Sequence, residues 1–382
     1  MSAYAGCVCG SVIIIGPSPP ERLLPPDSVF GNKGKGKRMS ANKYLQWLSS
    51  ETRSDWWHDS AIIEELEEAI ANGAVGLTTN PLLIKLSLFA KPDVWRPMLK
   101  NIPASLTPAE KAEEIARVIT THLAAKLLPI FEKTKGEKGF VCAQVNPTKA
   151  GDADLMLAMA RRLAKWAPNI CIKLPVTAAG LDVLEECIAE GMSVCGTASF
   201  TVPQALAIGE RHMKGLARAA ENGVKPGKCF AVVMVGRLDD YLRDVAHDRK
   251  ADVKESDIVQ SGTAVIKRAY TLFKERGYKA ILMPAGMRGD YHLTALAGAA
   301  MSMSVAPKIA GMALEIAHPF TEHIDEPVAP DVIDRLRTLP EFVRAYEPDG
   351  MKPTDFITYG VVQRTLSQFV EAGWSPIEAY QL

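Results

Sequence analysis

The chain has 382 residues, 47% of them hydrophobic, and its 44 basic residues are balanced by 44 acidic ones. That balance excludes a whole-chain field of the kind that draws nucleic acid or anionic lipid, so any anion must be recognised by a few placed side chains. No apolar run approaches the roughly 18 residues needed to span a bilayer, which sets aside a membrane protein.

Residues 1–38 stand apart: a short apolar stretch, a Pro-rich run from Pro17 to Pro26 and a Gly/Lys segment from Gly31 to Arg38. No basic residues precede the apolar stretch, which argues against a secretory signal. This part is read as a disordered extension, with the folded protein beginning at Met39. From there strand-like runs alternate with helical ones. Strands are predicted at 56–59, 75–80, 140–145, 170–176, 193–199, 229–235, 279–287 and 302–307. Helical periodicity is found at 62–71, 108–132, 152–166, 180–190, 202–221 and 252–276. Such alternation implies a parallel sheet with right-handed crossovers, and eight strands imply closure into a (β/α)8 TIM barrel. An open doubly wound sheet would carry Gly-x-Gly-x-x-Gly after its first strand, and none occurs. Residues 310–382 carry further helices, including 330–345 and 358–372, read as caps on the barrel or as the contact of a homo-oligomer. The organisation expected is therefore one barrel domain over 39–382 with a C-terminal helical segment.

Cys142, Cys171, Cys195 and Cys229 fall in apolar, strand-like runs, where a thiol behaves as a small hydrophobe. Free thiols fit a reducing, cytoplasmic compartment better than a disulfide scaffold. The seven histidines show no metal-ligand spacing, so neither metal nor cofactor is expected.

Strand side chains alternate between faces, and in this barrel the outward face must be apolar to meet the helices. Ile170, Ile172 and Leu174 share one face, which leaves Cys171, Lys173 and Pro175 inside. Val141, Ala143 and Val145 likewise turn Cys142, Gln144 and Asn146 inward. The same parity places Asp59, Thr78, Asn80 and Thr197 inside, each near the carboxyl end of its strand, where barrel active sites are built. Lys173 is the sharpest signal. A lysine can snorkel from a strand end to water, but this one lies between aliphatic neighbours in a central strand. Desolvation favours the neutral form of an amine, and a neutral lysine amine attacks ketones.

Gly76-Leu-Thr-Thr-Asn-Pro81 and Ile172-Lys-Leu-Pro-Val-Thr-Ala-Ala-Gly180 resemble the two signatures of the transaldolase family. Val235-Gly-Arg237 and Ala285-Gly-Met-Arg288 resemble its phosphate-binding segments on strands six and seven. The resemblance implies a Schiff base on Lys173, and Asp59 as the group that takes the C4 hydroxyl proton during C3–C4 cleavage. It implies that Thr78, Asn80 and Ser199 contact substrate and that Thr197 holds a proton-shuttling water. Arg237 and Arg288 would take the phosphate. A helix N-cap for Asp59, an Asx turn for Asn80 and a plain strand residue for Thr197 are the bland alternatives.

The chain departs from the family at three places. A strand-three glutamate is replaced by Gln144, in an Ala-Gln-Val run that resembles the fructose 6-phosphate aldolases. Those aldolases carry a tyrosine, and transaldolases a phenylalanine, where Met234 stands; the strand-seven serine is Gly286. The resemblance thus implies transfer of a dihydroxyacetone unit between sugar phosphates, as in pentose phosphate metabolism. The alternatives are a free-standing aldolase, a phosphosugar isomerase, or a barrel that binds sugar phosphate without turnover.

Overall fold

Strands buried on both faces leave no face for water, and closing into a ring leaves no strand edge. The computed structural model, which describes residues 41–382, shows eight short parallel strands that do this. They are β1 (Asp55–His58), β2 (Gly76–Leu77), β3 (Phe140–Gln144), β4 (Ile170–Pro175), β5 (Val194–Thr197), β6 (Cys229–Val233), β7 (Ile281–Pro284) and β8 (Ser302–Val305). The hydrogen-bonded order is β7-β6-β5-β4-β3-β2-β1-β8, and β7 packs beside β8, so the ring is nearly closed. The (β/α)8 barrel expected from the sequence is present, with extra helices after β8. The extension expected over residues 1–38 and the start at Met39 lie outside the described residues.

Register decides which side chains share the interior. Trp57 lies opposite Ser304, Gln144 opposite Lys173, and Phe230 opposite Ile281. One end of the barrel is filled by Trp57, Phe140 and Phe230, with Trp57 and Phe230 rings 4.6 Å apart and Phe140 and Phe230 rings 5.9 Å apart. Edge-on packing of this kind adds to the burial of large apolar area. Further along, Cys142 lies opposite Cys171 in register, and these two and Cys195 on β5 are free and buried. Beyond the thiols the interior turns polar, with Lys173, Gln144 and Thr197 at the carboxyl ends of the strands.

Several predicted helices require correction. Residues 330–345 are two helices, Pro330–Leu336 and Pro340–Tyr346, because Pro340 holds Leu339 in an extended conformation. The run at 252–276 is Glu255–Ile258 followed by Ser261–Arg276, and the run at 358–372 becomes Gly360–Gln368 and a π-helical turn, Phe369–Trp374. Helices at Lys43–Glu51, Pro81–Ala90, Pro92–Leu99 and Val235–Arg249 were not anticipated. Pro81–Ala90 reads PLLIKLSLFA, apolar nearly all round even where Leu86 and Phe89 are exposed, so it lacks the polar stripe that periodicity detects. Val235–Arg249 begins directly after β6 with no side-chain cap to mark its start.

Two histidines tie the fold to pH. His58, on the outward face of β1, and His212, on the helix Val202–Glu221, are 3% and 4% exposed. Neither His58 ring nitrogen nor His212 Nδ1 has a hydrogen-bond partner among the described residues. Burial therefore lowers each from 6.5 to about 4. A folded value below the unfolded one means that the unfolded chain binds more protons, so this stability is complete above about 6.5 and is lost as pH falls toward about 4. Each histidine contributes a slope of about 1.4 kcal/mol per pH unit within that window. Urea unfolding from pH 7 to 5 is expected to show this steep decline, and His212→Gln to remove one proton of uptake. An unchanged slope in that variant would rule out the assignment.

Candidate active site

Lys173 is 6% exposed on β4, and its Nζ donates to the Thr79 carbonyl at 3.0 Å. It does not snorkel to water, and it forms no ion pair among the described residues. Its nitrogen is held by a neutral acceptor that costs little to leave. Gln144 lies directly beside it in register, and Gln144 Oε1 is buried without a partner. Gln144 also lines a cavity of about 10 Å³ with Asn80, Trp166 and Trp374, room for a single water.

Asp59 follows β1 and accepts a hydrogen bond from Thr78 Oγ1 at 2.7 Å. Thr78 Oγ1 also lies 2.7 Å from Ser304 Oγ on β8, so strands on either side of β1 hold one carboxylate. The helix-cap alternative for Asp59 fails: the N-cap of Ile63–Ala71 is Ile62, and Ser60 Oγ accepts from the Ile62 backbone N–H at 3.2 Å. Loss of solvation pushes the Asp59 carboxyl up, against the opposing pull of Lys173, the Thr78 hydrogen bond and Arg237. Asn80 does act as a cap, since its Oδ1 accepts from Leu83 N at 3.0 Å. That leaves its amide N–H groups for a ligand. Asn146 is used locally, with Oδ1 accepting from Thr148 N at 2.9 Å, and does not join the mouth.

After β5 the chain turns sharply. Ala198 has φ 51°, a left-handed conformation that costs a non-glycine residue about 1–3 kcal/mol and clusters at functional sites. Thr197 Oγ1 and Ser199 Oγ flank it, buried and without partners. Gln204, fully buried, pins the turn: its Oε1 accepts from Phe200 N at 3.0 Å, and its Nε2 donates to the Val176 and Ala198 carbonyls at 3.2 and 3.1 Å.

The two arginines differ. Arg288 Nε donates to Asp240 Oδ2 at 2.7 Å, and its Nη1 to the Gly286 carbonyl at 2.8 Å. Its backbone N–H donates to His292 Nδ1 at 3.2 Å, and His292 Nε2 lies 2.9 Å from Asp239 in a fully buried pair. Arg237 has no carboxylate partner among the described residues; its Nη1 donates to Gln368 Oε1 at 2.5 Å. Burial, with Arg288 nearby, pulls the Arg237 guanidinium down to about 10.

The family model described as Transaldolase/Fructose-6-phosphate aldolase matches residues 56–334. The chain belongs to the transaldolase/fructose-6-phosphate aldolase family. It is similar to a protein named "Transaldolase" in Kocuria rhizophila, 32% identical over 213 residues that are 53% of this chain and 56% of that one. It is also similar to "Probable transaldolase" of Dehalococcoides mccartyi, 28% identical over 69% of this chain and 91% of the other. "Transaldolase 1" of Streptomyces avermitilis is 27% identical over 84% and 83% of the two. The chain is an enzyme of this family.

Within the family pattern, the departures have local reasons. Gly286 has φ +60°, and the space beside it is bounded by the Met234 methyl and Arg237 Cγ, each 3.7 Å from where a β-carbon would stand. A serine there would have to adopt the left-handed region that glycine takes freely. Sequence reasoning missed Ser304, Gln204, His292 and Asp239. Ser304 could have been found from the inward parity of β8; the others act through folded contacts. No group of three or more His, Cys, Asp or Glu placed to hold a metal occurs among the described residues, nor is any described helix long and apolar enough to cross a membrane.

Gln204→Leu would leave the Phe200 N–H and two carbonyls unpaired in a buried turn. A loss of at least about 2 kcal/mol in urea unfolding is expected, since each such group costs about 1–3 kcal/mol. A change within about 0.5 kcal/mol of zero, the usual range for surface substitutions, would show that Gln204 does not hold the turn.

Proposed function

We propose that the chain transfers a dihydroxyacetone unit from a ketose phosphate to an aldose phosphate through a Schiff base on Lys173. The observation that carries this reading is the buried Lys173 amine on a neutral acceptor, with Gln144, Thr197 and Ser199 supplying unpaired polar atoms and Asp59, after β1, at the same carboxyl end of the barrel. The neutral amine adds to the ketose C2 carbonyl, and loss of water leaves an iminium. Asp59 takes the proton of the C4 hydroxyl, the C3–C4 bond breaks, and its electron pair enters the iminium to give an enamine. The aldose leaves. An acceptor aldehyde then takes the enamine carbon, Asp59 returns its proton to the new hydroxyl, and hydrolysis frees Lys173. Gln144 and Thr197 orient the water of addition and hydrolysis, Thr78 aims Asp59, and Asn80 and Ser199 bind the three-carbon unit. Arg237 and Arg288 bind the phosphate.

Borohydride with dihydroxyacetone or fructose 6-phosphate should leave a reduced adduct on the peptide containing Lys173, and Lys173→Ala should abolish both adduct and turnover. Activity in that variant would refute the covalent mechanism.

Transfer is favoured over release because neither Gln144 nor Met234 has an acidic proton with which to quench the enamine. Turnover of fructose 6-phosphate should therefore depend strongly on an added aldose phosphate such as erythrose 4-phosphate; rapid release of dihydroxyacetone without acceptor would favour the aldolase. The unequal arginines add a ranking. Arg237→Ala should raise KM for phosphorylated substrates by the equivalent of about 1.5–3 kcal/mol, and Arg288→Ala, whose charge Asp240 already offsets, by less. The reverse order would assign the phosphate to Arg288.

A further inference from the structure

The C-terminal segment reaches the mouth at the arginine that lacks a carboxylate. Gln368 ends the helix Gly360–Gln368, and its Oε1 accepts from Arg237 Nη1 at 2.5 Å. Phe369 opens the π-helical turn, its ring centroid 5.8 Å from the Arg237 guanidinium. A π turn changes the direction in which the following side chains point, and such turns recur at functional sites. The far end of the turn is fastened to the opposite side of the mouth. At Gly373 a Cβ would lie 2.6 Å from Leu82 N and 2.8 Å from the Pro81 carbonyl carbon, so only glycine permits this approach. Trp374, 2% exposed, lines the small cavity with Asn80 and Gln144. One rigid turn thus joins the Asn80 side of the mouth to Arg237.

We infer that Gln368 is a specificity-determining residue for phosphorylated substrates, its amide oxygen holding the place on Arg237 that a phosphate oxygen takes. This rests on the proposed binding of the substrate phosphate by Arg237. The chemistry requires a neutral amide. A carboxylate would satisfy the guanidinium permanently and repel the dianion, whereas an apolar side chain would leave Arg237 unheld. The amide does both jobs: its oxygen accepts from Arg237 in the free enzyme, and after rotation its N–H groups donate to the incoming phosphate. The Phe369 face keeps the guanidinium in plane during the exchange.

Gln368→Glu and Gln368→Met test this, because both keep the length of the side chain and differ in charge. With fructose 6-phosphate as donor at a fixed saturating concentration, KM and kcat are measured for erythrose 4-phosphate and for erythrose, and the Kd of inorganic phosphate is measured by calorimetry. Gln368→Glu is expected to raise the KM for the phosphorylated acceptor and the Kd of phosphate at least about tenfold, a charge effect of about 1.4 kcal/mol or more. Most of that loss should fall on KM, with a much smaller effect on the unphosphorylated acceptor. Gln368→Met should lie between this variant and the unmodified enzyme. Equal losses in the two variants, or an unchanged preference for phosphate in Gln368→Glu, would overturn the inference. If the unmodified chain binds phosphate but transfers nothing, the transferase reading fails while the phosphate Kd values of the variants still decide the role of Gln368.

Discussion

An amine placed inside a barrel is the constraint on which the rest of this site depends. Lys173 cannot reach water from the middle of β4, and a buried amine without a partner carries a desolvation cost of several kcal/mol. The protein answers with a backbone carbonyl, that of Thr79, and not with a carboxylate. A carboxylate would hold an ammonium in place, whereas a neutral carbonyl satisfies the nitrogen with a single weaker bond. The neighbouring polar atoms follow the same logic. Gln144 Oε1, Thr197 Oγ1 and Ser199 Oγ are buried and unpaired, an arrangement that costs free energy unless a ligand or water completes it.

The surroundings keep those atoms in place. Asp59 is held by Thr78, which Ser304 supports from the strand on the other side, so three strands fix one carboxylate. Gln204 does the same for the turn carrying Thr197 and Ser199, and the buried His292–Asp239 pair for the backbone of Arg288. Each is a hydrogen-bonded support beneath a group that faces the mouth, and orientation of that kind governs how closely reacting atoms approach. The aromatic plug of Trp57, Phe140 and Phe230 supplies the apolar burial on which these polar groups stand.

The chain belongs to the transaldolase/fructose-6-phosphate aldolase family, and its departures from the resembled pattern fall at the carboxyl ends of β3, β6 and β7. Gln144 lies beside Lys173 and cannot titrate, and Met234 packs its methyl toward Gly286. Neither side chain carries an acidic proton.

The sequence by itself determined the eight strands, their order along the chain and, for the first five, the inward face, because side chains alternate with a period of two and the outward set must be apolar to meet helices. That parity was enough to bring Lys173, Asp59, Thr78, Gln144 and Thr197 to one mouth, and the strand ends were displaced by only a few residues. What it could not reveal lies in helices without a polar stripe or a cap and in long-range partners. The helix Pro81–Ala90 is apolar nearly all round, and Val235–Arg249 has no cap to announce it. Asn80 combines the cap with the mouth, a choice between two uses that spacing leaves open. Only tertiary structure paired Arg288 with Asp240 and Arg237 with Gln368, the latter 131 residues further along the chain. Local periodicity reports which way a side chain points; which distant side chain meets it is decided by how the helices close over the barrel.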